Sequence, residues 1–288
     1  MKIKSLFIIS VCLFCCSLIF ANDYSSEFLK AHKNGDFAAC ETVFKDWQKA
    51  SPNDPEMMIA YFNYYLYRNA QSGMKIEQYA DGSNIMVEGY TYNQEDVKTA
   101  ISYLDKALKN NANRLDIHFG KCSSLLDSKN YTQACKAIVT VLETSIKLKN
   151  KWAWSKGEKI PDNEGEVALF SGINDYCGIL KNYVGLKDAD FATVIKTIEK
   201  LYPNNNIALN WVSLYYSENG NLKKAISVLT KAYNLDKSDY IVLANLGKMY
   251  ERDNNYKEAR KCYETMTKMS DKKAQEYGKK FLEAIKEK

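Results

Sequence analysis

The sequence predicts an all-α protein whose helices pair into hairpins and stack as a solenoid. Two observations carry this prediction. The first is a low content of helix-breaking residues: the 288 residues contain only 4 prolines and 13 glycines. This favours long helices joined by short turns over a many-stranded sheet. The second is an internal repeat of 34 residues, a length that fits two helices of about four turns each and two tight turns.

The repeat is clearest near the C-terminus, where four positions recur at a spacing of 34 residues. Leu209, Ser213, Tyr216 and Ala225 recur as Leu243, Gly247, Tyr250 and Ala259. Within a unit, a small residue precedes the key alanine by 12 positions, as Cys122 precedes Ala134. Because antiparallel helices approach closely only where the side chains are small, these pairs predict the helix crossings.

At these residues the chain resembles the tetratricopeptide repeat family. The last unit carries the family pattern as Leu243, Leu246-Gly247, Tyr250, Tyr256-x-x-Ala259 and Tyr263. The resemblance covers 206–273 most strongly, extends to 94–148 and 23–69, and is weakest over 166–205. It implies a right-handed solenoid of stacked helical hairpins, each made of a helix A and a helix B.

The resulting register gives six hairpins and a final helix. The hairpins occupy 22–54, 55–69 together with 94–111, 115–148, 164–205, 206–239 and 240–273. The final helix, 274–287, places Ala274, Tyr277, Phe281 and Ile285 on one face, and its other face is rich in lysine and glutamate. An amphipathic helix of this kind is what the end of a solenoid requires.

Two insertions, about 70–93 and 149–165, interrupt the repeat. In the first, the alternation of Ile85, Val87, Tyr90 and Tyr92 predicts either a small β-hairpin or an ordered loop. The second contains Trp152 and Trp154. We expect these tryptophans either to fill a gap beside the degenerate fourth hairpin or to contact a sugar or a partner protein. Insertions in solenoids tend to gather on one face, which is often the binding face.

Residues 1–21 have the pattern of a secretory signal. Lys2 and Lys4 precede an apolar stretch of 15 residues, Leu6 to Phe20, which is shorter than the roughly 20 residues that span a bilayer. Ala21 offers a cleavage site, so we expect a periplasmic or secreted protein with one solenoid domain at 22–288. An outer-membrane lipoprotein, anchored at Cys15 or Cys16, is the alternative.

The composition excludes several classes of function. The net charge of +5 is small and scattered, so nucleic acid is not an expected partner. No catalytic motif, metal-ligand spacing or cofactor fingerprint occurs, and the two histidines, His32 and His118, are expected to be solvated and packed, respectively. Of the five cysteines after Ala21, Cys122 and Cys135 are the pair to test for a disulfide.

Members of the resembled family usually bind peptides or proteins in a concave groove lined by A helices. Positions carried over from the repeat predict groove residues Asn63, Tyr67, Phe119, Ser123, Asp127, Asn210, Leu214, Lys248 and Arg252. The leading hypothesis is therefore an exported, non-enzymatic scaffold for a protein or peptide partner in the cell envelope. The alternative is a carbohydrate-binding accessory protein that uses Trp152, Trp154, Tyr90 and Tyr92.

Overall fold

The computed structural model describes residues 23–288. The predicted signal sequence and the cysteines considered for lipidation lie outside these residues. The described chain forms thirteen α-helices and two β-strands. In order, they are α1 (Tyr24–Lys33), α2 (Phe37–Ala50), α3 (Pro55–Tyr67), β1 (Gln71–Gln78), β2 (Asn84–Thr91), α4 (Gln94–Asn110), α5 (Leu115–Asp127), α6 (Tyr131–Leu148), α7 (Gly165–Tyr183), α8 (Ala189–Leu201), α9 (Asn206–Glu218), α10 (Leu222–Leu235), α11 (Tyr240–Arg252), α12 (Tyr256–Thr267) and α13 (Lys272–Ala284).

The helices follow the order that the 34-residue repeat predicts, with α1–α12 as six successive A and B helices and α13 after them. Each A helix packs on the B helix that follows it, except that α7 does not pack on α8. The turn from helix A to helix B recurs in the same form. It contains one residue with positive φ, namely 70° at Gly35, 63° at Lys129, 81° at Gly185, 80° at Gly220 and 57° at Asn254. In the second pair the β-strands replace this turn. The all-α solenoid prediction is thereby confirmed.

The small residues predicted to lie at the helix crossings are buried. Ala134, Ala225 and Ala259 are completely buried, and so is Ser213. At Gly247 an added Cβ atom would lie 2.3 Å from the Cε1 atom of Tyr263. The absence of a side chain there lets the Tyr263 ring pack directly on the backbone of α11, which explains why the repeat has a small residue at this position.

The fourth pair departs from the others, as its weak resemblance predicted. Helix α8 packs chiefly on α6, and α7 packs on α5 and α9. The second insertion, which precedes this pair, buries Trp152 against α5 of the third pair: the residue is 2% exposed and meets His118 edge to face at 5.6 Å. Backbone hydrogen bonds from Leu115 to Ala153 (2.9 Å) and from Ala153 to Asn113 (2.8 Å) fix the insertion.

The buried side chains form two clusters that meet at α5, where Leu115 belongs to one and Ile117 to the other. Helix α13 covers the end of the C-terminal cluster with Ala274 and Ile285, both fully buried. Tyr277, predicted for the same covering face, is 46% exposed and stacks beside Phe281 instead. Within residues 23–288, no helix is both long and apolar enough to cross a bilayer.

The first insertion forms the β-hairpin alternative. Strands β1 and β2 pair antiparallel, with Lys75 opposite Val87 and Glu77 opposite Ile85. We call residues 71–91 the strap, because their tip reaches across the third pair to the end of α7. There the Ala80 amide donates a hydrogen bond to the Asn182 carbonyl (2.7 Å), and Tyr79 packs edge-on against Tyr183 (5.2 Å).

Candidate functional site

The strap encloses a pocket against the C-terminal ends of α5 and α7. We call this cavity of about 410 Å³ the strap pocket, and its size falls in the usual range for a ligand site, roughly 300 to 1,000 Å³. Its lining combines tyrosines with charged groups: Lys75, Glu77, Val87, Glu88, Gly89, Tyr90, Tyr92, Leu126, Asp127, Lys129, Tyr131, Ile179 and Tyr183.

Glu77 anchors the strap over this pocket. Its carboxylate accepts a hydrogen bond from the Tyr183 hydroxyl and pairs with Lys75 (3.0 Å) and Lys129 (3.1 Å). Burial alone would raise the pKa of Glu77, but these three donors outweigh it and lower the pKa to about 2. Glu77 is therefore ionised at neutral pH, and it joins the strap to α7 and to the turn after α5.

Asp127, the last residue of α5, has a different environment. Its carboxylate makes no hydrogen bond or ion pair with another residue of the described chain. Loss of hydration raises its pKa, the positive charge of Lys75 opposes that change, and the negative charge of Glu77 adds to it. Both pocket lysines are engaged by Glu77, so Asp127, which is exposed to solvent, is a carboxylate without an ion-pair partner in the described chain.

Tyrosines from several elements gather around Asp127. Its negative charge contributes to the raised pKa values of Tyr67, Tyr92 and Tyr131, in which desolvation is the largest cause. Tyr67 lies edge-on to Tyr90 (5.3 Å), and Tyr92 lies 5.9 Å from Tyr90. Helix α3, the strap and the start of α6 thus contribute aromatic rings to one region.

The predicted groove residues of the N-terminal half lie close to this region. Tyr67 is exposed at the end of α3, and Asn63 is half-buried one turn earlier. Phe119 is half-buried and meets Tyr176 edge-on (5.7 Å). The Ser123 hydroxyl lies 3.1 Å from the hydroxyl of Tyr176. The structure therefore brings Tyr67 and Asp127 of the predicted groove together with Tyr90 and Tyr92 of the first insertion.

The predicted groove residues of the C-terminal half have intramolecular partners. Asn210 accepts a hydrogen bond from Asn245 (2.9 Å), and Leu214 is half-buried. The Lys248 ammonium lies over the Phe281 ring (4.4 Å), and Arg252 pairs with Glu218 (2.9 Å). The contacts of Asn210, Lys248 and Arg252 join successive repeats.

The prediction of Trp152 as a glycan or partner contact is wrong. Its indole is buried between the second insertion and α5, where it fills space and cannot stack on an external ligand. Of the two roles considered for Trp152, packing inside the protein and contact with a ligand, the structure shows packing. Trp154 is 42% exposed and lies edge-on to Phe119 at 5.9 Å, so it stays a candidate contact at the groove.

Several pocket residues were not predicted as site residues. They come from three separate segments, namely Lys75 and Glu77 from β1, Lys129 and Tyr131 from the turn before α6 and the start of that helix, and Tyr183 from the end of α7. No sequence spacing relates the strap tip to the end of α7. The alternation of the strap strands was the available signal, because it places Lys75 and Glu77 on one face with Ile85 and Val87. That face is the one turned toward the helices.

Other reactive groups of the described chain are packed. His118 is buried, its Nε2 atom lies 3.0 Å from the Ala112 carbonyl, and desolvation lowers its pKa, which confirms its predicted packing role. The five cysteines of residues 23–288 are buried free thiols, so Cys122 and Cys135 are not joined. In residues 23–288, no cluster of histidine, cysteine or carboxylate side chains has the makings of a metal site.

The described chain is thus a helical-repeat protein whose largest irregularity builds a pocket. Residues 208–239 and 242–274 each match a model of the tetratricopeptide repeat. The chain therefore contains two tetratricopeptide repeats, as its resemblance predicted, and such repeats generally serve as non-catalytic scaffolds for protein interaction.

Solved structures of similar fold include other tetratricopeptide repeat proteins. YrrB, described as having an unusual peptide-binding site, is 14% identical with a TM-score of 0.43, and the match covers 82% of this chain and 97% of YrrB. A thermophilic protein from Thermus thermophilus, TTC0263, is 14% identical with a TM-score of 0.32, covering 91% and 97%. A C-terminal fragment from Cytophaga hutchinsonii is 13% identical with a TM-score of 0.43, covering 84% and 78%. No curated protein matches the chain.

Proposed function

We propose that this protein is an exported, non-enzymatic scaffold that binds a segment of a partner protein along its A-helix face, with the strap pocket as the deepest contact. The strap pocket is the single observation that carries the proposal. The strap leaves the second pair, crosses the third pair and is anchored at α7 of the fourth. It thereby encloses a concave, tyrosine-rich cavity. Tyrosines supply both contact area and hydroxyl groups, which suits protein recognition.

The exposure of the aromatic rings supports this assignment. Tyr67 and Tyr90 are 39% and 44% exposed although they pack against each other, so part of each ring is available to a ligand. Phe119 and Trp154 extend the aromatic surface along α5. The export part of the proposal rests on the signal-like pattern of residues 1–21.

Site-specific photo-cross-linking in the native cells tests the proposal. A benzophenone amino acid in place of Tyr90 should form an adduct with a partner protein that mass spectrometry can identify. The same group in place of Leu235, which is 48% exposed at the end of α10, is the matched control. A second test position is Phe119, on α5. Equal adduct yields at Tyr90 and Leu235, or no adduct at either Tyr90 or Phe119, would show that the strap pocket is not the docking site.

Export is tested separately by cell fractionation. The proposal expects the protein in the periplasm or the medium with Asn22 as its first residue. Recovery in the cytoplasm with residues 1–21 retained would contradict it.

A further inference from the structure

We propose that the strap pocket binds the cationic side chain of a lysine or arginine in the partner segment, with Asp127 as its counter-ion. This inference rests on the proposed function and adds the chemistry that the pocket selects. Three carboxylates, from Glu77, Glu88 and Asp127, line the pocket against two ammonium groups, from Lys75 and Lys129. An added cation would therefore balance the charge of the pocket.

The distribution of these charges identifies Asp127 as the free acceptor. Both lysines are held by Glu77 at 3.0 and 3.1 Å, and Lys75 also donates to the Tyr90 carbonyl at 3.0 Å. Glu77 is further occupied by the Tyr183 hydroxyl. Asp127 has no such partner in the described chain, so an entering ammonium or guanidinium would make its first charged hydrogen bonds.

The position of Asp127 in the fold strengthens this preference. It ends α5, where the helix dipole places partial negative charge and favours a nearby cation. A carboxylate at this end is unfavourable for the helix itself, and the surroundings already disfavour its ionised form. A bound cation would relieve both effects.

The tyrosines supply the second part of the recognition. Aromatic faces attract cations, and Tyr rings at a partly desolvated site contribute to such binding. Tyr90, Tyr92, Tyr131 and Tyr183 line the same pocket as Asp127. The protein already uses this chemistry nearby, because the Arg68 guanidinium lies 4.4 Å from the centre of the Tyr65 ring.

The positive net charge of the protein makes the binding of a cationic peptide an informative test. With a formal charge of +5, the molecule as a whole repels polycations, so binding of a cationic peptide requires a local acidic site. Fluorescein-labelled hexaarginine is therefore an informative probe. Hexacitrulline, in which each side chain is nearly isosteric with arginine but neutral, is its matched control, and both are titrated by fluorescence anisotropy at low salt.

The expected result is that hexaarginine binds at least about tenfold more tightly than hexacitrulline. Because Asp127 is exposed to solvent, water screens its charge, and Asp127→Asn should weaken hexaarginine binding about three- to fivefold. Asp162→Asn removes the same charge from an exposed loop site and should leave binding unchanged. Tyr92→Leu keeps an apolar side chain but removes the aromatic face, and a loss of about threefold is expected.

Three results would overturn the inference: equal binding of the two peptides, equal loss in Asp127→Asn and Asp162→Asn, or tighter binding of hexaglutamate. Circular dichroism and thermal melts of each variant exclude unfolding as the cause of a loss. The cross-linking experiment separates this inference from the proposed function. If Tyr90 still forms its adduct in Asp127→Asn at full yield, the scaffold role stands and the cation selectivity is refuted.

Discussion

Glu77 offers the sharpest test of how the strap pocket is built. Replacing it by glutamine keeps the size of the side chain and its ability to hydrogen-bond, but removes the charge that holds Lys75 and Lys129. We expect the strap to detach more often from α7 while the helical hairpins remain folded. The strap is held at its tip by few contacts, chiefly Glu77 with Tyr183 and the backbone bond from Ala80 to Asn182.

The magnitude follows from the pKa of Glu77. It falls from an ordinary 4.5 to about 2, and at about 1.4 kcal/mol for each pH unit this corresponds to roughly 3 kcal/mol of preference for the anchored state. The Lys129 side chain is 49% exposed, so solvent screens its share and we expect about 2 kcal/mol. Because the pKa is lowered in the anchored state, this stabilisation is complete above pH 4.5 and is lost as the pH falls toward 2.

Hydrogen exchange of the Ala80 amide measures the effect, since this amide is bonded across to α7. In Glu77→Gln its protection at neutral pH should fall about thirtyfold, as expected for about 2 kcal/mol. Glu88→Gln is the control, because Glu88 also lines the strap pocket but forms no hydrogen bond or ion pair within the described residues. Unchanged Ala80 protection in Glu77→Gln, or an equal fall in both variants, would refute the anchoring role.

Two further predictions concern the packing of the repeats. Gly247→Ala should lower the free energy of unfolding by about 1 to 3 kcal/mol, because its Cβ atom would overlap the Tyr263 ring. Gly178→Ala is the control, because a Cβ atom added there has no neighbour within 4 Å. It should be neutral or raise the stability by up to about 1 kcal/mol. Equal effects in urea denaturation would contradict the crossing argument. Trp152→Ala should destabilise the protein by about 3 to 5 kcal/mol, whereas Trp154→Ala should change stability by less than about 1 kcal/mol. Similar melting temperatures for the two tryptophan variants would mean that Trp152 is not the buried plug.

The helical hairpins could be predicted because the repeat is a local rule. Positions such as Gly247 and Ala259 recur at fixed spacing since each hairpin solves the same packing problem with its own residues and those of its neighbours. The irregular fourth pair could also be predicted, because the repeat pattern is weakest over residues 166–205. The repeat pattern did not predict which helices pack together in this pair. In the structure, α8 packs chiefly on α6.

The candidate site could be predicted only in part. Carrying repeat positions along the chain placed Tyr67 and Asp127 on the groove, and the composition of the first insertion marked Tyr90 and Tyr92. Burial of Trp152 was one of two open alternatives, since an aromatic pair in an insertion has the same sequence whether it packs inward or faces a ligand.

The sequence alone determined the repeated hairpins, their crossings, their turns and the place of both insertions, because contacts between neighbours in a solenoid are encoded within about one repeat length. Only the tertiary structure decided where the strap lies, that Glu77 meets Tyr183 across 106 positions of chain, and that Asp127 is left without a partner in the described chain. Such contacts depend on the direction in which an insertion leaves its repeat, and no periodicity records that direction.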